Sequence, residues 1–258
     1  MKRSVEAPAA RLRRTAVVRT DYQKFEIWKS ALATEFRVSG ATHAFHHRHR
    51  FLTGLVWDML AAAALLGKRE EPRSLLMLGL AGGTTLRLLR RLLPTCRFTA
   101  LEIDAQMVRL ARRHMALDAT GVEVIVGDAY AWLRANRRTF DVVIDDIYLA
   151  GRTDVFRAKA MNRPLLADLR RGGVLTVNLV TGPGHRTMQS ATRRILRSSL
   201  AQLRTVKAPA AMNEVLVAGR TVATASRLRS RETSFAETTD RTHWREITVR
   251  RLRSAGEI

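Results

Sequence analysis

The residues of this chain that could do chemistry are glycines and acids at the ends of short apolar segments. The first such segment, predicted to be a β-strand over residues 74–78, runs directly into Gly-Leu-Ala-Gly-Gly at positions 79–83. Glycines let a strand turn sharply into a helix and let a ligand approach the backbone without meeting a Cβ. A tight strand-to-helix turn also needs glycines without any ligand, so this turn alone is weak evidence. The turn residues that we expect to contact a ligand are Gly79, Ala81, Gly82 and Gly83.

A carboxylate follows the next apolar segment. Glu102 lies nineteen positions after Gly83, at the end of a strand predicted over residues 98–103. In a doubly wound sheet this position is beside the first glycine turn, where a carboxylate can accept both hydroxyls of a ribose. We expect Glu102 and its neighbour Ile103 to contact the ligand. Asp104 is better explained as the N-cap of the helix that follows.

Two further acidic signals complete the pattern. Asp128 follows a strand predicted over residues 122–126, and it could accept the exocyclic amine of an adenine beside Ala129 or cap the next helix. A strand predicted over residues 140–144 ends in Asp145 and Asp146, and one of these should face the ligand because successive strand residues point to opposite sides. Four signals at the carboxyl ends of four consecutive strands predict an adenosine site. An NAD site fits less well, because it requires GxGxxG spacing and predicts neither Asp128 nor the last acids.

The elements that must position these residues alternate along the chain. Helices are predicted over residues 84–93, 105–117, 130–136, 161–169 and 187–203, the fourth ending at Gly172-Gly173, and further strands over 174–179, 203–207 and 214–218. Strands that alternate with helices predict an α/β, Rossmann-like fold, with a mostly parallel sheet covered by helices on both faces.

The segments on either side of this core have other patterns. Residues 1–20 predict a flexible basic tail, and residues 21–50 a region with a β-hairpin formed by 25–28 and 35–38. We place a ligand-binding domain at 51–220, which begins with a helix over 51–66. The polar residues 221–258 predict a C-terminal extension with an amphipathic helix over 240–252.

Composition limits the function classes. The chain has 258 residues, no apolar run of eighteen and no apolar signal-peptide region, which argues against a membrane span and favours the cytoplasm. Its single cysteine, Cys96, does not require an oxidising compartment. The 45 Lys and Arg against 23 Asp and Glu give a net charge of +22, which would suit nucleic acid. The arginines are spread along the chain, so nucleic-acid binding is possible but not favoured.

Taken together, these motifs resemble the spermidine-synthase-like branch of the class I S-adenosylmethionine (SAM)-dependent transferases, over about residues 21–220. In the hairpin region Gln23 is similar to the family's Tyr-Gln motif, and residues 79–83 are similar to its glycine motif. The resemblance implies that Glu102 binds ribose, that Asp128 binds the adenine side and that Asp146 is the first acid of the active-site loop. It also implies a SAM-type cofactor, and family members often form homodimers.

The chain departs from the family at acids that would bind a polyamine. The resemblance puts Ala81 and Leu149 at two positions that are acidic in true spermidine synthases, and residues 36–57 contain no acid at the positions of the family's Asp-Glu pair. Each lost charge-assisted contact is worth about 1.5–3 kcal/mol. We therefore expect ordinary SAM and methyl transfer, with Asp146 as general base or electrostatic partner and Tyr148 as a weaker catalytic candidate. Aminopropyl transfer from decarboxylated SAM and a non-catalytic nucleoside- or nucleic-acid-binding protein are the alternatives.

A histidine-rich stretch has no place in that resemblance. His43, His46, His47 and His49 are close in sequence, but no acid or cysteine near them completes a metal site, so no metal is expected. A solvated face explains the stretch best. A basic lip over the pocket, suited to a small-molecule acceptor that is anionic, is the functional alternative.

Overall fold

The computed structural model describes residues 11–148, 169–181, 185–207, 213–249, 252 and 256–257. Leu149 and most of the helix predicted over residues 161–169 lie outside the described residues. The described part of the chain contains a small antiparallel sheet and a larger mixed sheet with helices.

The small sheet is formed by four strands in chain order, each antiparallel to the next. The predicted hairpin is confirmed, because β2 and β3 pair with Glu26 opposite Arg37. The prediction of a flexible tail is wrong for residues 13–19. These residues form a β-strand that pairs with β2 at the edge of the small sheet. This strand was missed because almost all of its side chains are exposed and give no apolar alternation. The strands are β1 (Arg13–Arg19), β2 (Lys24–Lys29), β3 (Ala33–Val38) and β4 (Ala41–His47).

The large sheet has the order β12-β10-β11-β9-β8-β5-β6-β7. Its strands β5 to β9 are mutually parallel, and β10, β11 and β12 add an antiparallel edge. The predicted Rossmann-like class is therefore confirmed. The strands are β5 (Ser74–Leu78), β6 (Arg97–Glu102), β7 (Glu123–Val126), β8 (Phe140–Asp145), β9 (Leu169–Val180), β10 (Gln202–Lys207), β11 (Asn213–Gly219) and β12 (Gly256–Glu257).

Six α-helices lie in the described part of the chain, and four of them follow strands of the large sheet. The helices are α1 (Val56–Ala63), α2 (Thr84–Leu92), α3 (Ala105–Met115), α4 (Ala129–Ala135), α5 (Arg186–Ser199) and α6 (Thr238–His243). The 3₁₀ segments of the described ranges are Ala64–Leu66, Leu117–Thr120 and Ala225–Ser234, and Trp244–Val249 is a π-helix.

Alternate residues of the central strands pack into two apolar layers, one on each face of the large sheet. Leu75 and Met77 of β5 belong to the layer that contains α1 and α2. Leu76 and Leu78 belong to the layer that contains α5. Because successive strand residues point to opposite faces, both faces of the sheet are covered, and the carboxyl ends of the strands are held in one row.

The predicted helix over residues 51–66 begins later, at Val56. The carboxylate of Asp58 accepts hydrogen bonds from the backbone amides of Thr53 (3.0 Å) and Gly54 (2.7 Å) and from the hydroxyl of Thr53 (2.9 Å). These bonds hold the preceding residues in a loop, in which Gly54 has a φ of +78°. The buried Asp58, by accepting hydrogen bonds from the loop, thus determines that α1 begins at Val56.

Gly172 and Gly173 do not end a helix, contrary to the prediction. Both lie inside β9, where its pairing with β8 shifts register between Phe140 and Val142. Gly172 has a φ of +88°, and a Cβ on Gly173 would lie 2.7 Å from the backbone oxygen of Asp141. The two glycines are needed for a bulge in a strand, a role that sequence spacing cannot distinguish from a helix terminus.

The C-terminal residues pack against the body of the protein. Trp244 and Phe235 are buried with their ring centroids 5.6 Å apart. Asp240 accepts from the backbone amide of Phe51 (2.8 Å). The predicted helix over residues 240–252 is present in part, as α6 and the π-helix that follows it. None of the helices in the described ranges has the length and apolar character that a bilayer crossing requires.

The loop before α1 gives a stability prediction. Asp58→Ala removes the acceptor of two backbone amides in a buried position, and we expect the free energy of unfolding to fall by about 3 kcal/mol. Asp118→Ala is the matched control, because this carboxylate is 75% exposed and pairs with Arg112 at the surface. It should change stability by less than about 1 kcal/mol. Urea denaturation of both variants measures the difference, and equal losses would contradict the assigned role of Asp58.

Candidate active site

A cavity of about 1020 Å³ lies where the carboxyl ends of the parallel strands meet the small sheet. This is the edge at which open α/β sheets bind ligands. Its lining comes from both sheets and from the start of α1. The lining residues are Asp21, Tyr22, Gln23, Ala41, Thr42, His43, Leu55, Val56, Trp57, Gly79, Ala81, Leu101, Glu102, Ile103, Met107, Gly127, Asp128, Ala129, Tyr130, Arg134, Asp146, Ile147, Tyr148, Asn178, Val180 and Asn213.

The glycine turn is shaped by close backbone contacts. Gly79 has a φ of +81°, and a Cβ there would lie 2.5 Å from the carbonyl oxygen of Asp146. Ala81 also has a positive φ, +45°, which is uncommon for a residue with a Cβ. The first turn and the end of β8 are therefore in direct contact, which places Asp146 beside the glycine motif.

Glu102 closes the other side of the turn. One carboxylate oxygen accepts from the backbone amides of Leu80 (3.1 Å) and Ala81 (2.8 Å), and the other accepts from Asp104 (3.1 Å). Burial raises the pKa of Glu102, and these backbone hydrogen bonds oppose that shift. The first oxygen thus accepts two backbone amides and the second accepts one, which leaves acceptor capacity on the second oxygen for a ligand hydroxyl.

Asp128 caps a helix and also lines the cavity. Its side chain accepts from the backbone amide of Ala131 (2.8 Å) as the N-cap of α4, and it also lines the cavity. Asp104 caps α3 through the amides of Gln106 (2.9 Å) and Met107 (3.1 Å), as predicted. A capping carboxylate has one oxygen engaged by the helix, so the other can face a ligand.

The two acids at the end of β8 point to opposite sides, as the alternation of side chains along a strand requires. Asp145 is buried in the protein, and Asp146 lines the cavity. The carboxylate of Asp146 accepts from the side-chain amide of Asn178 (2.7 Å), whose oxygen accepts from Asn213 (2.9 Å). This chain of amides fixes the orientation of Asp146 at the centre of the site.

The small sheet is attached to the glycine turn through β4. The hydroxyl of Thr84 accepts from the backbone amide of Phe45 (2.9 Å) and donates to its carbonyl (3.1 Å). A Cβ on Gly82 would collide with Ala44. The cavity wall formed by β4 is thus held against the start of α2.

Charge in the cavity is opposite to charge in the chain as a whole. Its described lining carries four carboxylates, Asp21, Glu102, Asp128 and Asp146, against one guanidinium, that of Arg134. The chain has about twice as many basic as acidic residues. His43 adds little positive charge at neutral pH, because burial lowers its pKa. The cavity therefore favours a cationic ligand.

Most of the predicted site residues come together in this cavity. Those that line it are Gln23, Gly79, Ala81, Glu102, Ile103, Asp128, Ala129, Asp146 and Tyr148. Gly82 and Gly83 are outside the lining, because they face Ala44 and Leu117.

The histidine stretch contributes one of its residues to the cavity lining. Of its four histidines His43 lines the cavity, while His46, His47 and His49 lie outside the lining. Burial and the neighbouring Arg87 lower the pKa of His46 to about 4. In the described ranges, no group of three or more His, Cys, Asp or Glu side chains is arranged to hold a metal ion.

Several lining residues were not predicted. Leu55, Val56 and Trp57 form an apolar wall from the start of α1, and Asn178 and Asn213 extend from neighbouring strands of the large sheet. Asn178 could have been found, since it is a polar residue near the carboxyl end of a strand whose second half is mostly apolar. The apolar wall could not, because its residues have the spacing of ordinary core.

Comparison with known proteins agrees with this fold. A family model described as a methyltransferase domain matches residues 75–173. A solved spermidine synthase from Thermotoga maritima superposes with a TM-score of 0.65 at 18% identity, covering 83% of this chain and 75% of that one. The chain has a spermidine-synthase-like class I SAM-dependent transferase fold.

Two relatives found by sequence comparison are named as polyamine aminopropyltransferases. A probable polyamine aminopropyl transferase of Bifidobacterium longum is 31% identical over 130 residues, which are 50% of this chain and 28% of the relative. Polyamine aminopropyltransferase 2 of Pseudomonas aeruginosa is 28% identical over 164 residues, 60% of this chain and 47% of the relative. The matched part of the chain thus spans less than half the length of these two relatives.

The contact between the glycine turn and Asp146 gives a second prediction. Gly79→Ala combines an unfavourable φ with a collision against backbone, and we expect it to lower the free energy of unfolding by about 2–4 kcal/mol. Gly40→Ala is the matched control, because Gly40 has a φ of +80° and a Cβ added there would have nothing within 4 Å. It should cost only about 1 kcal/mol. Similar losses in chemical denaturation would show that the close approach to Asp146 is unimportant.

Proposed function

We propose that this chain is an aminopropyltransferase that moves the aminopropyl group of decarboxylated SAM to an amine acceptor. The observation that carries the proposal is the acidic cavity in a chain of net charge +22. Decarboxylated SAM carries a sulfonium and an ammonium, and both charges favour facing carboxylates. SAM itself adds a carboxylate, which only Arg134 among the described lining residues could neutralise.

The nucleoside would lie between the glycine turn and the ends of β6 and β7. Glu102 would accept the ribose hydroxyls, and Asp128 with Ile103 would contact the adenine. Glu102 is suited to this role because its carboxylate is buried and is held in place by three backbone amides. Gln23, which precedes β2 of the small sheet, approaches the same cavity from the other side.

The reacting end would lie near Asp146. With Glu102 and Asp128 assigned to the nucleoside, Asp146 and Asp21 are the lining carboxylates that would stabilise the amine end of the donor and the acceptor. This assignment replaces the expected anionic acceptor with a cationic one. The relatives named above also favour aminopropyl transfer, since both are named as polyamine aminopropyltransferases.

Methyl transfer from SAM is the second candidate. The wall formed by Leu55, Val56 and Trp57 offers no charge to an acceptor amine, and the matching family model is described as a methyltransferase domain. An acceptor with an apolar body would suit this wall better than a polyamine. The same nucleoside site would serve both reactions.

Glu102 gives a prediction for the nucleoside site. Glu102→Gln should weaken binding of 5′-methylthioadenosine by about 10- to 100-fold, because a charge-assisted hydrogen bond is worth about 1.5–3 kcal/mol. In the unchanged protein, affinity should fall on acidification at a pH above the usual glutamate range, because burial raises the pKa of this carboxyl group. Calorimetry between about pH 5 and pH 8 tests both effects. A variant with unchanged affinity would remove Glu102 from the site.

The transferred group is tested by direct assay. Purified protein is incubated separately with SAM and with decarboxylated SAM, each with a panel of primary amines, and the products are identified by mass spectrometry. We expect aminopropylated amine and 5′-methylthioadenosine from decarboxylated SAM, and no methylated product from SAM. Methylated amine from SAM alone would support the second candidate and overturn aminopropyl transfer.

Asp146→Asn separates binding from turnover in the same assay. The variant should keep the affinity for 5′-methylthioadenosine within about threefold and lose turnover by about 100-fold, the scale of general acid–base or charge stabilisation by one group. Turnover equal to that of the unchanged protein would exclude Asp146 from the reaction.

A further inference from the structure

His43 occupies an irregular position in the small sheet. Phe36 of β3 pairs with Ala44, and the next residue, Arg37, pairs with Thr42. His43 is therefore the extra residue of a β-bulge. Bulges occur next to active sites, where they redirect a side chain that a regular strand would point elsewhere.

The bulge changes which residues of β4 face the ligand. In a regular strand neighbouring side chains point to opposite faces, yet Ala41, Thr42 and His43 all line the cavity. The following residue, Ala44, instead packs against Gly82 of the glycine turn. The bulge thus turns the imidazole into the cavity while β4 stays attached to the nucleoside-binding turn.

His43 lies at the end of the cavity where transfer would occur. Its ring is in edge-to-face arrangement with Tyr148, at 6.3 Å between ring centroids and an interplanar angle of 75°. Tyr148 follows Asp146 by two residues, and all three line the same space. Burial keeps the imidazole unprotonated at neutral pH, because it lowers the pKa of His43.

We propose that His43 is a catalytic residue that accepts the proton released by the acceptor amine. This inference rests on the proposed transfer to an amine. The acceptor ammonium first loses one proton to the unprotonated ring nitrogen of His43, which frees the nitrogen lone pair. That lone pair forms the new C–N bond as the C–S bond breaks, and the electrons of the C–S bond remain on sulfur as a neutral thioether. The alkylated nitrogen leaves as an ammonium, and His43 releases its proton to water.

Other groups that bear on the protonation of His43 are present in the cavity and on the adjoining strand. The lining groups that titrate or carry charge are Asp21, Tyr22, Glu102, Asp128, Tyr130, Arg134, Asp146 and Tyr148, and β3 adds Glu35 and Arg37 beside the bulge. Asp146 remains the electrostatic partner of the cationic centre in this assignment, and the imidazole supplies the proton acceptor.

The experiment compares His43→Ala with His46→Ala, a substitution on the same strand at a histidine outside the cavity lining. With decarboxylated SAM and 1,4-diaminobutane, His43→Ala should lose about 100-fold in kcat and keep its affinity for 5′-methylthioadenosine. The unchanged protein should lose kcat as pH falls below the ordinary histidine range, and this acidic limb should be absent in the variant. Added imidazole should restore part of the activity. His46→Ala should have the kcat and the acidic limb of the unchanged protein. Added imidazole should not change its activity.

His43→Gln keeps the size and polarity of the side chain, and it serves if His43→Ala does not fold. A kcat within about twofold of the unchanged protein in either variant, or an acidic limb that persists, would overturn the role of His43 alone. Absence of transfer by the unchanged protein to any amine would overturn the proposed function and this inference with it. Normal nucleoside affinity in the variants together with lost turnover would support the assignment.

Discussion

The carboxylate of Glu102 holds the site together. It accepts hydrogen bonds from backbone amides of the glycine turn and of the start of α3, so that the ends of β5 and β6 share one half-buried carboxylate. A buried carboxylate is costly unless it is hydrogen-bonded, and the amides of Leu80 and Ala81 lie outside helix and sheet, where they need such an acceptor. The loop conformation and the carboxylate therefore stabilise each other, and they form one wall of the cavity together.

The remaining walls of the cavity are attached to this centre through short contacts. Gly79 lets the backbone of Asp146 approach the turn, and Gly82 lets Ala44 of the small sheet approach from the other side. Both contacts need a residue without a Cβ. Glu102, Asp146 and Ala44 come from segments far apart in the chain, yet the glycine turn contacts all three. Its geometry thus decides both where the acids converge and where the small sheet is attached.

The charge distribution separates the cavity from the surface. Acids that would repel one another in a cavity are tolerated because three of them are engaged by the protein's own donors: the amides around Glu102, the cap at Asp128 and the amide of Asn178 on Asp146. These bonds fix the orientation of the three carboxylates. A cationic sulfonium nucleoside and an amine would then find compensating charge in an otherwise strongly basic molecule.

The sequence by itself determined the α/β class, the β2–β3 hairpin and the row of acids after β6, β7 and β8, because periodicity and strand-end position are local properties of the chain. Tertiary structure alone decided which acid of the Asp145-Asp146 pair lines the cavity, that Asp128 both caps α4 and lines the cavity, and that the glycines at 172 and 173 form a bulge. It also brought His43 to the cavity. These outcomes depend on packing between segments distant in sequence, such as β4 on the glycine turn, and no local pattern encodes such contacts.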